Sequence, residues 1–239
     1  MNNYVEYEVQ VDGLILKDDI EISSFPGCKD RIKLITNENG NLIINIPISE
    51  DTHDKMDAVA TAESILEDLL DIIALERCSY IGKPSVQEIV LKDRHHTRDD
   101  IFLRCLVTTP AYEVVSLQRS LEKPKTTNRV YSRLYRNVLQ IPNPVARFVF
   151  LYSILGDLKG PGQTAVDSYI LAMEPSVKMI SSTRLNKKGQ PYRDETEYTY
   201  LRNKVGHVDD TSIVPDVTAK IASLEPALSR LVRDAIVVP

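Results

Sequence analysis

The hydrophobic period changes along this chain, and that change constrains the fold more than any single motif. From Tyr4 to Val11 the period is two: Val5, Tyr7, Val9 and Val11 alternate with Glu6, Glu8 and Gln10. An extended chain then carries its apolar set on one face. RIKLIT (Arg31 to Thr36) and NLIINIPI (Asn41 to Ile48) flank the turn NENG, whose glycine tolerates positive φ, so a hairpin is expected there. From about Lys55 to Ala74 the period becomes that of a helix. Met56, Val59, Ala62, Ile65, Leu66, Leu69, Ile72 and Ile73 recur at three- and four-residue spacing, and Glu63, Glu67, Asp68 and Asp71 form the wet face. Ser85 to Lys92 and Ile101 to Thr109 are expected as two more strands enclosing an exposed charged loop, DRHHTRDD.

The second half keeps helical periods throughout. TNRVYSRLYRNVL (Thr127 to Leu139) is helical by composition, and Asn143-Pro144 is an N-cap followed by proline in the first turn. The helix that follows runs to Leu158. Its Val145, Phe148, Val149, Leu151, Tyr152 and Leu155 cover more than one face, which marks a central core helix. The sequence Gly160 to Gly162 breaks it, and QTAVDSYILAM makes another short helix. NKKGQPYRD (Asn186 to Asp194) is expected as an exposed loop. Asp194 with Glu197 resembles a capping box, so a helix should begin there. The last helix spans about Asp216 to Ile236, with Val217, Ile221, Leu224, Leu228, Leu231 and Ala235 in one stripe. The expected fold class is α+β: a small strand-rich domain with one long helix over 1–115, then an all-α helical bundle over 116–239.

Charge divides along nearly the same line. Residues 1–115 hold 11 Lys+Arg and 22 Asp+Glu, while residues 116–239 hold 18 and 12. A net charge of -5 thus hides an acidic half and a basic half, and the basic half is a candidate polyanion-binding surface. No apolar run approaches the roughly 18 residues of a membrane span. MNNYVEYEVQVDG has neither a basic n-region nor an apolar h-region, so neither a secretory signal nor a membrane partner is expected. Cys28, Cys78 and Cys105 are odd in number and lie far apart, as expected of reduced thiols in a cytoplasmic protein. No clustered metal ligands are visible. His95, His96, Asp99 and Asp100 belong to the charged loop, where adjacent histidines on an extended chain point opposite ways. No phosphate-binding glycine loop or serine-hydrolase elbow occurs, and no cofactor is expected.

ETEYTYLRNKVGH, Glu195 to His207, carries the chemistry. On a helix Asn203 and His207 share a face, and the long side chain of Arg202 can lean toward them. Gly206 lets the chain turn just before the histidine. Imidazole titrates near neutrality and passes protons. A guanidinium stays charged and grips phosphate oxygens as charge develops. The same residues would also serve as plain helix-terminal charges.

That segment resembles the signature of the HEPN superfamily, an R-x4–6-H motif with a polar residue after the arginine. Arg202, Asn203 and His207 occupy those places. ARFVFLYSILGDL, ahead of a loop and a VDSYI helix, resembles HEPN proteins of the MauJ-like and ApeA-like type. The likeness covers about residues 130–237. It implies a helical bundle that forms a homodimer, bringing two motifs into one cleft. It also implies metal-independent endoribonuclease activity, in which the ribose 2′-OH attacks the adjacent phosphate to leave 2′,3′-cyclic phosphate and 5′-OH ends. His207 would then move the proton, Arg202 would stabilise the phosphorane and Asn203 would position one of them. Some members only bind nucleotides or partners, so a non-catalytic regulatory module, an accessory to a metabolic or defence system, is the alternative. In that case the N-terminal domain would recognise a protein partner.

A second expectation concerns RNA. Lys123, Lys125, Arg129, Arg133, Arg136 and Arg147 follow Glu122 without an intervening acid, and Tyr131 and Tyr135 are interleaved. Lys125, Arg129, Arg133 and Arg136, with Lys204, are the expected RNA contacts, the rings being available for base stacking. A solvated helix face paired with the acidic half is the other reading of this strip.

Overall fold

A computed structural model describes residues 3–28, 30–92, 94–97, 109–122, 128–160, 162–181, 193–206 and 214–237. The chain divides into two compact units, Met1–Ser132 and Arg133–Pro239.

The first unit is an antiparallel six-stranded sheet with a helix on one face. Its strands are β1 (Tyr4–Val9), β2 (Ile20–Ile22), β3 (Ile32–Thr36), β4 (Leu42–Pro47), β5 (Ser85–Leu91) and β6 (Arg94–Thr97), in the order β2-β3-β4-β1-β5-β6. The alternation in β1 does what its period demands: Val5, Tyr7 and Val9 are buried and Tyr4, Glu6 and Glu8 are not. β3 and β4 form the expected hairpin, with Gly40 at φ 75° in its turn. The helix α1 (Lys55–Arg77) turns Ala58, Ala62, Ile65, Leu66, Leu69 and Ile73 inward and packs on β1 and β4. Asp54 caps it by accepting from the backbone N–H of Met56 and Asp57 at 2.7 and 3.1 Å. Cys78 ends it in the left-handed region at φ 50°, where a residue with a Cβ is strained and glycine is the usual occupant.

Two features of this unit differ from the sequence expectation. Arg94–Thr97 is not loop: it pairs with β5, His95 opposite Val90 and His96 opposite Ile89, and forms the edge strand of the sheet. Most of the expected strand Ile101 to Thr109 lies outside the described residues. A helix with no expected counterpart, α2 (Ala111–Glu122), packs on α1 with Leu117 and Leu121 fully buried. Arg77 pairs with Glu113, and Ser116 donates to Glu76 at 2.6 Å. The compact unit therefore runs past residue 115. With the division at Ser132 the two units hold 15 Lys+Arg against 23 Asp+Glu and 14 against 11, so the positive excess of the second falls to +3.

The second unit contains α3 from Arg133 onward (α3, Arg129–Leu139), α4 (Pro144–Lys159), α5 (Gln163–Met173), α6 (Glu197–Gly206) and α7 (Val214–Val237). The Asn143 side chain caps α4, accepting from the N–H of Val145 and Ala146 at 2.9 and 3.0 Å, with Pro144 in the first turn as the sequence predicts. α4 packs most extensively on α7, and Phe148, Leu151, Leu155, Ile221, Leu228 and Val232 are buried. Tyr135 ties α3 to α7 by a 2.7 Å bond to the Ser229 hydroxyl. Arg147 pairs with the buried Glu225. The bundle is not purely helical: Met179–Ile180 (β7) and Glu195–Thr196 (β8) form a small antiparallel ribbon. That ribbon displaces the expected cap. α6 starts at Glu197, and Thr196 rather than Asp194 accepts from the Thr199 N–H, at 3.4 Å. Among the described residues no helix is long and apolar enough to cross a membrane.

Candidate active site

Short sequence rules bring Arg202 to its place. Tyr198 and Leu201 are buried beneath α6, and the Tyr198 ring stacks on Phe148 of α4 at a 6.4 Å centroid separation. Burial of the Tyr198 phenol, which donates to Glu174 at 2.9 Å, pushes its ionisation far up. These contacts fix the helix against α4. Thr199 is then buried, and Arg202 and Asn203 follow one turn later.

Arg202 lines a cleft of about 310 Å³ together with Tyr152, Ser153, Gly156, Asp157, Gly160, Gly162, Gln163 and Val166. The connection from α4 to α5 forms one rim. Gly160 and Gly162 stand at φ 105° and 98°, which only glycine adopts without strain.

Two contacts hold the guanidinium. Its carbon lies 5.8 Å from the Tyr152 ring centroid, within cation–π range, and Nη1 donates to Asn203 Oδ1 at 3.2 Å. Asn203 is itself held: Oδ1 accepts from Gln163 Nε2 at 2.8 Å, and Nδ2 donates to Glu195 Oε2 at 3.0 Å. Its amide thus supports Arg202. Among the described residues Arg202 makes these contacts and no ion pair. Its guanidinium faces a cleft whose wall also carries Asp157, and a planar cation of this kind suits an incoming anion.

Behind Tyr152 lies a polar chain. The Tyr152 phenol meets the Thr199 hydroxyl at 2.7 Å, and Thr199 donates to Asp167 Oδ1 at 2.6 Å. Asp167 is 2% exposed and also accepts from the Thr196 hydroxyl at 2.7 Å and from Arg193 Nη2 at 2.7 Å. Burial raises the Tyr152 pKa, the Asp167 charge adds to this and the Arg202 charge opposes it.

The expected site residues separate in the structure. Arg202 and Asn203 meet as their spacing implies. His207 lies outside the described residues, and so do Lys123 and Lys125. Lys204 does not line the cleft; its Nζ sits 5.5 Å from the Tyr200 ring. The expected cationic strip is broken. Arg129 pairs with Asp68. Arg136 is 6% exposed and Tyr135 fully buried, since α3 turns this face into the packed bundle, so neither offers a surface to RNA. Arg133 is exposed. Tyr152, Gln163, Asp167, Glu195 and Thr199 are the site residues that periodicity overlooks. Their one signal is Asp167, a carboxylate that shares the buried side of α5 with Val166 and Ile170.

Cys28 is a free thiol, Cys78 is half-buried at the end of α1, and Cys105 lies outside the described residues. Among the described residues no group of three or more His, Cys, Asp or Glu side chains is placed to hold a metal. Comparison with protein-family models, with characterised proteins and with solved structures finds no match, so the cleft is interpreted from its own geometry.

Proposed function

We propose that the second unit is a HEPN-type endoribonuclease domain that cleaves RNA without metal, acting as a homodimer in the cytoplasm. The observation that carries this reading is Arg202: a cation without an ion pair among the described residues, braced by Tyr152 and Asn203 on the wall of a cleft. In the reaction the ribose 2′-OH attacks the neighbouring phosphate. The O–P bond forms as the bond to the 5′ oxygen breaks, leaving a 2′,3′-cyclic phosphate and a 5′-OH. Arg202 bears the charge that builds on the phosphorane oxygens. His207, one residue beyond α6, takes the 2′-OH proton or supplies the leaving oxygen with one. Asn203 keeps the guanidinium aimed. Phe150, 53% exposed on α4 and one turn before Ser153 of the cleft, supports a second copy seating beside the site.

The test is incubation of the whole chain with mixed RNAs in EDTA. Cyclic phosphate ends should appear, and His207→Ala should slow their formation by about 10²–10⁴-fold. Cleavage that persists in that variant sinks the assignment.

A second reading draws on the spent cations. Arg129 and Arg147 are ion-paired, Arg136 is buried and Asp157 brings a negative charge to the cleft wall. These favour a non-catalytic binding or regulatory module, with the acidic first unit recognising a protein partner. Partner capture without RNA turnover, unchanged by Arg202→Ala, would select it.

A further inference from the structure

We propose that Asp167 is a positioning residue that sets Arg202 through Thr199 and Tyr152. The direction of each hydrogen bond follows from the number of protons available. Asp167, ion-paired to Arg193, accepts at Oδ1 from the Thr199 and Thr196 hydroxyls and from the Thr196 N–H at 2.6, 2.7 and 3.2 Å. Thr199 has a single hydroxyl hydrogen, and the carboxylate takes it. Toward Tyr152, 2.7 Å away, Thr199 can only accept, so the phenol must donate. The chain therefore runs one way: Tyr152 to Thr199 to Asp167.

Two consequences reach Arg202. The far end of the Tyr152 ring is tied down, so the face on which the guanidinium rests, at 5.8 Å, is held in one plane. A phenol donating toward a buried carboxylate through one hydroxyl is also polarised, which makes its ring face more negative and a better seat for a cation. The Asn203 amide holds the guanidinium at its other side, at 3.2 Å. Of the residues linked here, Tyr152 and Arg202 line the cleft while Thr199 and Asp167 do not, so the hydrogen-bonded series reaches a bound molecule through Tyr152 and Arg202. The catalytic consequence rests on the ribonuclease reading; the positioning itself does not.

The experiment has two arms on the full chain. Thr199→Val deletes the central hydroxyl while Asp167 keeps Arg193 and Thr196, which avoids the folding loss expected of Asp167→Ala. In ¹⁵N spectra of the arginine Nε–Hε groups, Arg202 is assigned by its disappearance in Arg202→Lys. Its resonance, shifted by the Tyr152 ring current, should move toward that of exposed arginines in Thr199→Val and in Tyr152→Phe, and return in Thr199→Ser. An unmoved resonance in Thr199→Val overturns the proposal. In single-turnover RNA cleavage, Thr199→Val should lower the rate by roughly tenfold to a hundredfold, with RNA affinity within about twofold of the parent. Placed in an Arg202→Ala background it should cost nothing further. Equal losses in both backgrounds overturn the proposal too. A parent chain that cleaves no RNA sinks the ribonuclease reading, and the spectra alone then decide the positioning.

Discussion

Replacing Asp167 by alanine should unfold the second unit far more readily than a change at a typical polar position. The carboxylate is 2% exposed and receives four hydrogen bonds. Three of the donors, the Thr196 N–H and the hydroxyls of Thr196 and Thr199, are themselves buried. Each loses about 1 kcal/mol of net bonding, and more if it stays unsatisfied. The fourth, Arg193, is 45% exposed and turns to water, so its ion pair adds at most about 1 kcal/mol. The sum is a loss of roughly 3–5 kcal/mol, a large part of the 5–15 kcal/mol that typically holds a domain together. Asp167→Asn keeps an acceptor for both hydroxyls and should lose about 1–2 kcal/mol. The chain has no tryptophan, so urea unfolding is best followed by circular dichroism at 222 nm and fitted with two transitions, one per unit. At a slope near 2 kcal/mol/M, the alanine variant should move one midpoint down by roughly 2 M and leave the other in place. A shift below about 0.5 M would mean that the hydroxyls find other acceptors and that Asp167 organises little.

Cys78→Gly should stabilise the first unit by about 1 kcal/mol, because the α1 terminus sits at φ 50°; unchanged urea midpoints would refute the strain. Asp54→Ala should cost about 1 kcal/mol in the same assay by removing the cap on Met56 and Asp57, and a neutral result would show the cap to be idle. Glu6 faces Glu88 across the sheet, and burial, reinforced by that carboxylate, raises its pKa. Its folded form thus holds a proton more tightly than its unfolded form. Stability should fall as pH rises from the ordinary carboxylate value through the raised one. Glu6→Gln should therefore stabilise the first unit at pH 7 and make little difference at pH 3; a destabilised variant at pH 7 would contradict the sign.

Legibility in the sequence followed the physics of each element. The hairpin of β3 and β4, α1 and the Asn143 start of α4 were all plain, because period, turn glycine and cap are local signals. α2 was missed because only Leu117 and Leu121 of its twelve residues are buried, too few for a visible stripe. β8 was hidden because a two-residue strand has no period, and it moved the start of α6 past Asp194 to Glu197. In the site, the neighbours Arg202 and Asn203 could be read as a pair. The Tyr152 hydroxyl and Thr199 could not. Tyr152 counted as an apolar core position, and its phenol acquires meaning only when α6 sets Thr199 against it, 47 residues away in sequence. The basic strip misled because charge was counted without burial: Arg136 lies on the inward face of α3 beside Tyr135.

The central claim is that the Arg202 charge is kept free to stabilise a phosphorane. Its most direct test is the single-turnover cleavage rate of RNA in EDTA for the parent chain and Arg202→Ala, at matched melting temperature. The account predicts a fall of about 10²–10³-fold, as for removal of one transition-state donor. A rate within threefold of the parent would contradict it.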